Sequence, residues 1–185
     1  MQDIDIAASN FDLILSEVRT YSASIVTEQD TRLKIINRIV KEVLGWHEES
    51  IFTEERADTG YVDYLLSIAA RPKVVIEAKR KEPGLGLGPF SGGHAYKFSG
   101  PVFRSTACQD GLKQVRRYCQ DKSVQLGCLT SGTQWVIFLA NRVDGRAVDA
   151  GFAVVFGTLE DIKTNFSIFW QLLSRQGVHE NRYHA

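Results

Sequence analysis

Cysteine is scarce in this chain of 185 residues: Cys108, Cys119 and Cys128 are odd in number and form no C-x-x-C pair. Their pattern excludes a disulfide framework and a cysteine-based zinc knuckle, and it points to a reducing, cytoplasmic setting. Long apolar runs are missing too. None approaches the roughly 18 residues of a membrane span. The start, Met1-Gln2-Asp3-Ile4-Asp5, is acidic where a secretory signal is basic. Neither a membrane partner nor a targeting signal is expected. His47, His94, His179 and His184 show neither H-E-x-x-H nor paired spacing, and read as surface residues. Gly84-Leu85-Gly86-Leu87-Gly88 lacks the G-K-[ST] of a phosphate loop and does not lead from a strand into a helix, so no nucleotide motor is encoded here.

What is present is ordinary globular material, 44% hydrophobic and 24% charged. Disorder, collagen and coiled coil are excluded, and the length suits one domain over 1–185. A chain of this size buries about 70% of its unfolded surface, enough for a core without a structural metal. The net charge of zero conceals segregation. Residues 1–70 carry 6 Lys+Arg and 13 Asp+Glu, residues 71–122 carry 11 and 4, and residues 123–185 carry 5 and 5. The basic middle third is either solvated surface or a face for a polyanion.

Phe11, Ile14, Leu15, Val18 and Tyr21 recur at helical spacing and predict a packing helix within 11–25. Thr27-Glu28-Gln29-Asp30 has the form of a capping box. Leu33, Ile36, Ile39, Val40, Val43 and Leu44 then predict one buried face, ended by Gly45. Ile51–Glu54, Tyr61–Ile68 and Lys73–Lys79 read as strands, the last two forming a hairpin across Ala69-Ala70-Arg71-Pro72. The β-branched run Val74-Val75-Ile76 suits a central strand covered on both faces. From Pro83 to Pro101 six glycines and three prolines predict a long loop, a plain insertion or a substrate-facing flap.

A helix with a basic face is expected over 108–120, from Leu112, Val115 and Tyr118 or Cys119 beside Lys113, Arg116 and Arg117. Strands follow at Val124–Leu129, Gln134–Leu139 and Ala153–Phe156, with a turn at Asp144-Gly145 and a closing helix over Leu159–Leu173. A helical connection out of the central hairpin should return parallel, which makes the fold α/β, with a mixed β-sheet flanked by helices on both faces. Trp46, Trp135 and Trp170 read as packing residues.

With Ile68 facing Lys73, antiparallel partners sum to about 141, which sets Asp63 opposite Glu77 or Ala78. Glu77 and Lys79 are two apart and share a strand face. Two neighbouring carboxylates need a compensating positive charge. Mg2+ fits that role through Asp63, Glu77 and the Ala78 carbonyl, with positions left for a phosphate oxygen and a water. Lys79 would orient or deprotonate that water or stabilise negative charge. The competing reading is a plain cross-strand salt-bridge network.

Thr31-Arg32-Leu33-Lys34, Leu44-Gly45-Trp46, Gly60-Tyr61-Val62-Asp63-Tyr64, Val75-Ile76-Glu77-Ala78-Lys79-Arg80 and Leu129-Thr130-Ser131-Gly132 together resemble the N-terminal nuclease domain of type I restriction enzyme R subunits. That is a branch of the PD-(D/E)xK nuclease superfamily. The resemblance spans about Glu28 to Phe138. It implies a restriction-endonuclease-like fold: a helical extension over 1–26, a nuclease core over 28–140 with a Gly-rich insertion over 83–107, and a C-terminal strand and helix over 141–185.

By resemblance, Asp63 and Glu77 correspond to the metal ligands, Lys79 to the catalytic lysine and Glu28 to an acidic residue supporting the metal. Gln114-Val115-Arg116-Arg117-Tyr118 is similar to the family's Q-x-x-x-Y motif, with Gln114 and Tyr118 on one helical face. Val62 stands where the superfamily has proline. The implied activity is Mg2+-dependent cleavage of DNA, with Mn2+ as substitute, in a prokaryotic restriction or antiphage system. Arg80, Lys81, Lys113, Arg116 and Arg117 would bind the phosphate backbone. An NTPase motor or sensor, in another domain or subunit, is the implied partner. A homo-oligomer would offer two sites for cutting both strands, whereas a monomer would nick. The alternatives are an inactive nucleic-acid-binding or interaction module of the same fold, and a nuclease acting on RNA.

Overall fold

A computed structural model describes residues 3–58, 60–141 and 151–184. The Asp144-Gly145 turn expected above lies outside them. Seven strands form one open sheet: β1 (Ile51–Ala57), β2 (Gly60–Ile68), β3 (Arg71–Ala78), β4 (His94–Lys97), β5 (Leu126–Thr130), β6 (Trp135–Leu139) and β7 (Phe152–Phe156). Their spatial order is β1-β2-β3-β5-β6-β7-β4. The β3–β5 pair is parallel, Val74 facing Leu126 and Ala78 facing Thr130, and the other pairs are antiparallel. The architecture is therefore mixed α/β, with a mostly antiparallel sheet. The chain reaches β5 from β3 through α3 (Thr106–Asp121), the crossover that a parallel pair requires.

Helices cover both faces. On one side α1 (Ile4–Tyr21), α2 (Glu28–Thr31, wound on as π-helix over Arg32–Ile36 and Ile39–Val43) and the C-terminal helices α4 (Leu159–Thr164), α5 (Phe166–Leu173) and α6 (Arg175–His179) pack Phe11, Ile36, Ile39 and Phe169 against Leu66, Ile76 and Trp135. On the other side α3 packs Leu112 and Val115 against Leu65, Val75 and Phe138. No helix among the described residues is long and apolar enough to cross a membrane. All three cysteines are buried and unpaired.

Four expectations change. First, α2 opens as α-helix at Glu28–Thr31, capped by reciprocal bonds between Thr27 and Asp30, then winds as π-helix over Arg32–Ile36 and Ile39–Val43. The wider π turns rotate the buried face. Leu33 is 54% exposed and Ile35 is buried among the core residues expected there. Second, the hairpin turn is Ala69-Ala70, with φ of +49° and +59°, and Ile68 faces Arg71 in place of Lys73. A bulge between Leu66 and Ser67 restores a register in which Tyr64 faces Ile76.

Third, the expected 83–107 loop contains β4, which pairs with β7 at the sheet edge, and the 3-10 turn Pro101–Phe103. It is a packed cover over the α3 face and not a free flap: Leu85, Val102 and Phe103 are buried, and Leu85 N donates to Gln134 Oε1 at 2.6 Å. Fourth, the single closing helix breaks at Asn165, whose Nδ2 donates to Asp161 O at 3.0 Å and takes up a helical carbonyl.

A candidate acidic site at the end of the central hairpin

β2 and β3 hold their register to Tyr64–Ile76, and one further step along both strands brings Asp63 alongside Glu77. This is the juxtaposition expected from the sequence, reached through the bulge in place of the four-residue turn. Asp63 Oδ2 accepts from the Ala78 N–H at 2.8 Å, so the acid of one strand is held by the backbone of the next. Glu77 and Lys79 project from the same face, with Lys79 Nζ donating to Glu77 Oε1 at 2.8 Å. Lys79 N continues the parallel ladder by donating to Thr130 O at 2.7 Å, which fixes the chain direction as β3 ends.

Two helices reach this point from opposite faces. From α3, Gln114 Oε1 accepts from Lys79 Nζ at 3.1 Å while Gln114 Nε2 donates to Tyr118 OH at 3.1 Å. One helical turn thus aligns both tips toward the lysine. Tyr118 is buried, and a Cβ on Gly60 would lie 2.8 Å from its hydroxyl oxygen, so glycine at the start of β2 gives the ring its room. From α2, the Arg32 guanidinium lies 3.5 Å from Asp63 Oδ1 and 5.3 Å from the centre of the Tyr64 ring. Glu28, at the first turn of α2, lies near enough for its charge to act on Lys79.

Burial dominates the electrostatics. It pushes the Glu77 carboxyl up from its ordinary 4.5 to about 7, aided by the Asp63 charge and opposed by Lys79. Glu77 is 4% exposed, and its buried Oε2 meets no hydrogen-bond donor among the described residues, with the Asp63 carboxylate close by. Burial also disfavours the Lys79 ammonium. The hydrogen bond to Glu77 and the charges of Glu77, Glu28 and Asp63 outweigh that, and the Lys79 pKa rises. Lys79 is therefore a cation at neutral pH.

Arg32 is the residue that sequence reasoning passed over. It stands inside the Thr31-Arg32-Leu33-Lys34 motif, two residues beyond the capping box, and that position was the available signal. Thr31 was also missed: its hydroxyl accepts from Lys81 N at 3.1 Å and tethers the chain just after the cluster.

The five basic residues assigned to a phosphate face have different surroundings. Arg80 and Arg117 are exposed. Lys113 is exposed and pairs with Asp110 at 3.5 Å. Lys81 Nζ donates to Ser22 O and Ser22 Oγ, both at 2.8 Å, and so fastens the end of α1. The Arg116 guanidinium stacks on Phe98 at 4.3 Å and belongs to the packing beneath the insertion.

Among the described residues no three His, Cys, Asp or Glu side chains converge as a metal cage. The cluster instead offers two adjoining carboxylates, one of them with an unpartnered buried oxygen. That donor set fits a hard divalent cation that keeps several of its waters. Comparisons with family models, curated proteins and solved structures gave no match.

Proposed function

We propose that this chain is a Mg2+-dependent endonuclease acting on DNA, of restriction-endonuclease-like fold and PD-(D/E)xK type. The observation that carries the reading is the meeting of Asp63, Glu77 and Lys79 at one strand end, with the unpartnered Glu77 Oε2 buried beside Asp63. The parallel β3–β5 pair and its α3 crossover suit the finer fold assignment.

Asp63, Glu77 and the Ala78 carbonyl would hold the cation, supported by Glu28, and Mn2+ would substitute. Once bound, the ion would supply Lewis-acid polarisation of a phosphodiester and lower the pKa of a coordinated water. The protein's own groups do the positioning. Arg32 and the Ala78 N–H hold the two oxygens of Asp63, which fixes the carboxylate plane. Lys79, kept cationic by its acidic neighbours, stabilises negative charge developing on the phosphate. It is not the base. Gln114, braced by Tyr118, holds the Lys79 ammonium in place. Arg80 and Arg117, being exposed, are the groups free to meet backbone phosphates.

The second reading, a binding module without cleavage, draws on the internal neutralisation of the cluster, since Arg32 and Lys79 already sit on its two acids. A plasmid-nicking assay with Mg2+ or Mn2+ separates the two, run beside a single-stranded RNA substrate. Nicking should require the metal and be lost in Asp63→Asn, Glu77→Ala and Lys79→Ala. Plasmid binding without metal-dependent cleavage favours the module, RNA cleavage alone favours the RNA nuclease, and nicking unaffected by all three substitutions refutes the site.

A further inference from the structure

Arg32 faces two acids, and only one of them belongs to the Asp63–Glu77 cluster. Its Nη1 lies 3.5 Å from Asp63 Oδ1 and 3.4 Å from Glu54 Oε1, so a single nitrogen is shared between carboxylates on neighbouring strands. The β1–β2 register runs from Thr53–Tyr64 to Glu55–Val62, which sets Glu54 across from Asp63. Like charges in facing positions repel, and Arg32 is the cation between them. Among the described residues neither Arg32 nor Glu54 has a further ion-pair partner.

The two halves of this contact differ in their surroundings. The Arg32 and Asp63 side chains are 13% and 15% exposed, whereas that of Glu54 is 71% exposed, on the edge strand of the sheet. Glu54 has a φ of +54°, a conformation that residues with a Cβ rarely adopt inside a strand. The Tyr64 ring lies 5.3 Å from the guanidinium carbon and is held by the bond its hydroxyl donates to Asn37 Oδ1 at 2.6 Å. A cation keeps its attraction to a ring face anywhere within about 6 Å of the centre, so the guanidinium can shift from one acid toward the other without losing that support.

A divalent cation at the proposed site competes with Arg32 for the same carboxylate. Asp63 Oδ2 already accepts from the Ala78 N–H at 2.8 Å, which leaves Oδ1, the oxygen facing Arg32, as the more open donor. Two cations on one acid repel, and a guanidinium cannot relieve that by losing its proton. It has to move, and Glu54 is the acid within reach.

We propose that Glu54 is a positioning residue for metal binding: Arg32 orients Asp63 in the metal-free protein, and Glu54 draws the guanidinium off Asp63 as the cation enters. Arg32 is then a tethered counter-charge, and Glu54 sets how readily it yields. The inference rests on the metal-dependent reading above and deepens it by naming what controls entry to the site.

The test measures Mg2+ affinity by calorimetry on the full chain with duplex DNA present, in the parent and in Glu54→Gln, Glu54→Asp and Glu55→Gln. Glu54→Gln leaves Arg32 with Asp63 alone and should weaken Mg2+ binding about fivefold, equivalent to about 1 kcal/mol. Glu54→Asp retains the charge, is one methylene shorter and loses the contact, so it should weaken binding by a similar factor. Glu55, the next residue along, is paired with Lys122 at 3.2 Å. Glu55→Gln removes the same charge from the same strand and should change affinity less than about twofold. In an Arg32→Gln background the Glu54 effect should vanish, which a general charge effect on the cation does not do. Should Arg32→Gln fail to fold, the three single variants on β1 decide. Parent affinity in Glu54→Gln or in Glu54→Asp, an equal loss in Glu55→Gln, or a full loss persisting beside Arg32→Gln each overturns the role of Glu54 and leaves the metal site standing. Absence of Mg2+ uptake by the parent is a different result: it removes the metal reading itself, and this inference with it.

Discussion

Glu77 carries the most consequential chemistry in the molecule. One oxygen accepts from Lys79 and the other from no donor among the described residues, in a pocket where burial lifts the carboxyl to about 7. Because the folded-state value stands above the unfolded 4.5, the folded protein holds a proton that the unfolded chain has released between those two pH values. The stability associated with that proton is present below pH 4.5 and is lost as pH rises through 7. Glu77→Gln should therefore gain stability relative to the metal-free parent between those limits, by about 3 kcal/mol. Urea melts of both proteins across that range check it, and a constant difference would show that Glu77 ionises normally.

Arg32 acts on the neighbouring acid. It is 3.5 Å from Asp63 Oδ1 in a setting where both side chains are largely covered. Arg32→Ala should cost about 2–3 kcal/mol by leaving Asp63 without its cation, and should lower the proposed cleavage by misorienting the carboxylate. Thermal melts and the nicking assay read the two effects. Asp63 and Glu77 were legible in the sequence because strand alternation and hairpin register are local arithmetic. Arg32 was legible only as a member of its motif, since its meeting with Asp63 depends on how α2 lies across the sheet, which no spacing rule contains.

At the level of elements, the β2–β3 hairpin sets the site, and its turn is made by two alanines at positive φ. A left-handed residue with a Cβ costs about 1–2 kcal/mol, and glycine returns about 0.5–1 of that through its looser unfolded chain. Ala70→Gly should thus stabilise the protein by about 0.5–1 kcal/mol. The winding of α2 is testable in the same melts. Ile35→Ala should cost about 2–5 kcal/mol, and Leu33→Ala no more than about 0.5, because only Ile35 is buried.

The misjudged elements share a cause. Strand β4 is four residues, His-Ala-Tyr-Lys, among glycines, and it exists through its pairing with β7 some sixty positions away. The break at Asn165 arises from a side-chain amide that also reaches Gly92 O at 3.4 Å. The capping box, the Val74–Ile76 run and α3 were legible because their signals lie within a few residues of one another.

On the scale of the whole molecule, helices on both faces lock the sheet, and the acidic cluster is left where α2 and α3 converge on one strand end. The basic middle third is less of a free surface than its composition suggested, with Lys81 fastened to Ser22 and Arg116 stacked on Phe98. Phosphate contacts should accordingly be few. Replacing both Arg80 and Arg117 by alanine should reduce the slope of log affinity against log salt by about 2 on duplex DNA, with little change among sequences. An unchanged slope would remove Arg80 and Arg117 from the proposed phosphate contacts.

Divalent uptake measured by isothermal calorimetry, titrating Mg2+ into the folded protein with duplex DNA present, reaches the central claim most directly. The expected result is saturable binding that disappears in Asp63→Asn and in Glu77→Gln while both variants stay folded. An absence of binding to the parent protein, or binding that survives both substitutions, would contradict the assignment of this cluster as a metal-dependent nuclease site.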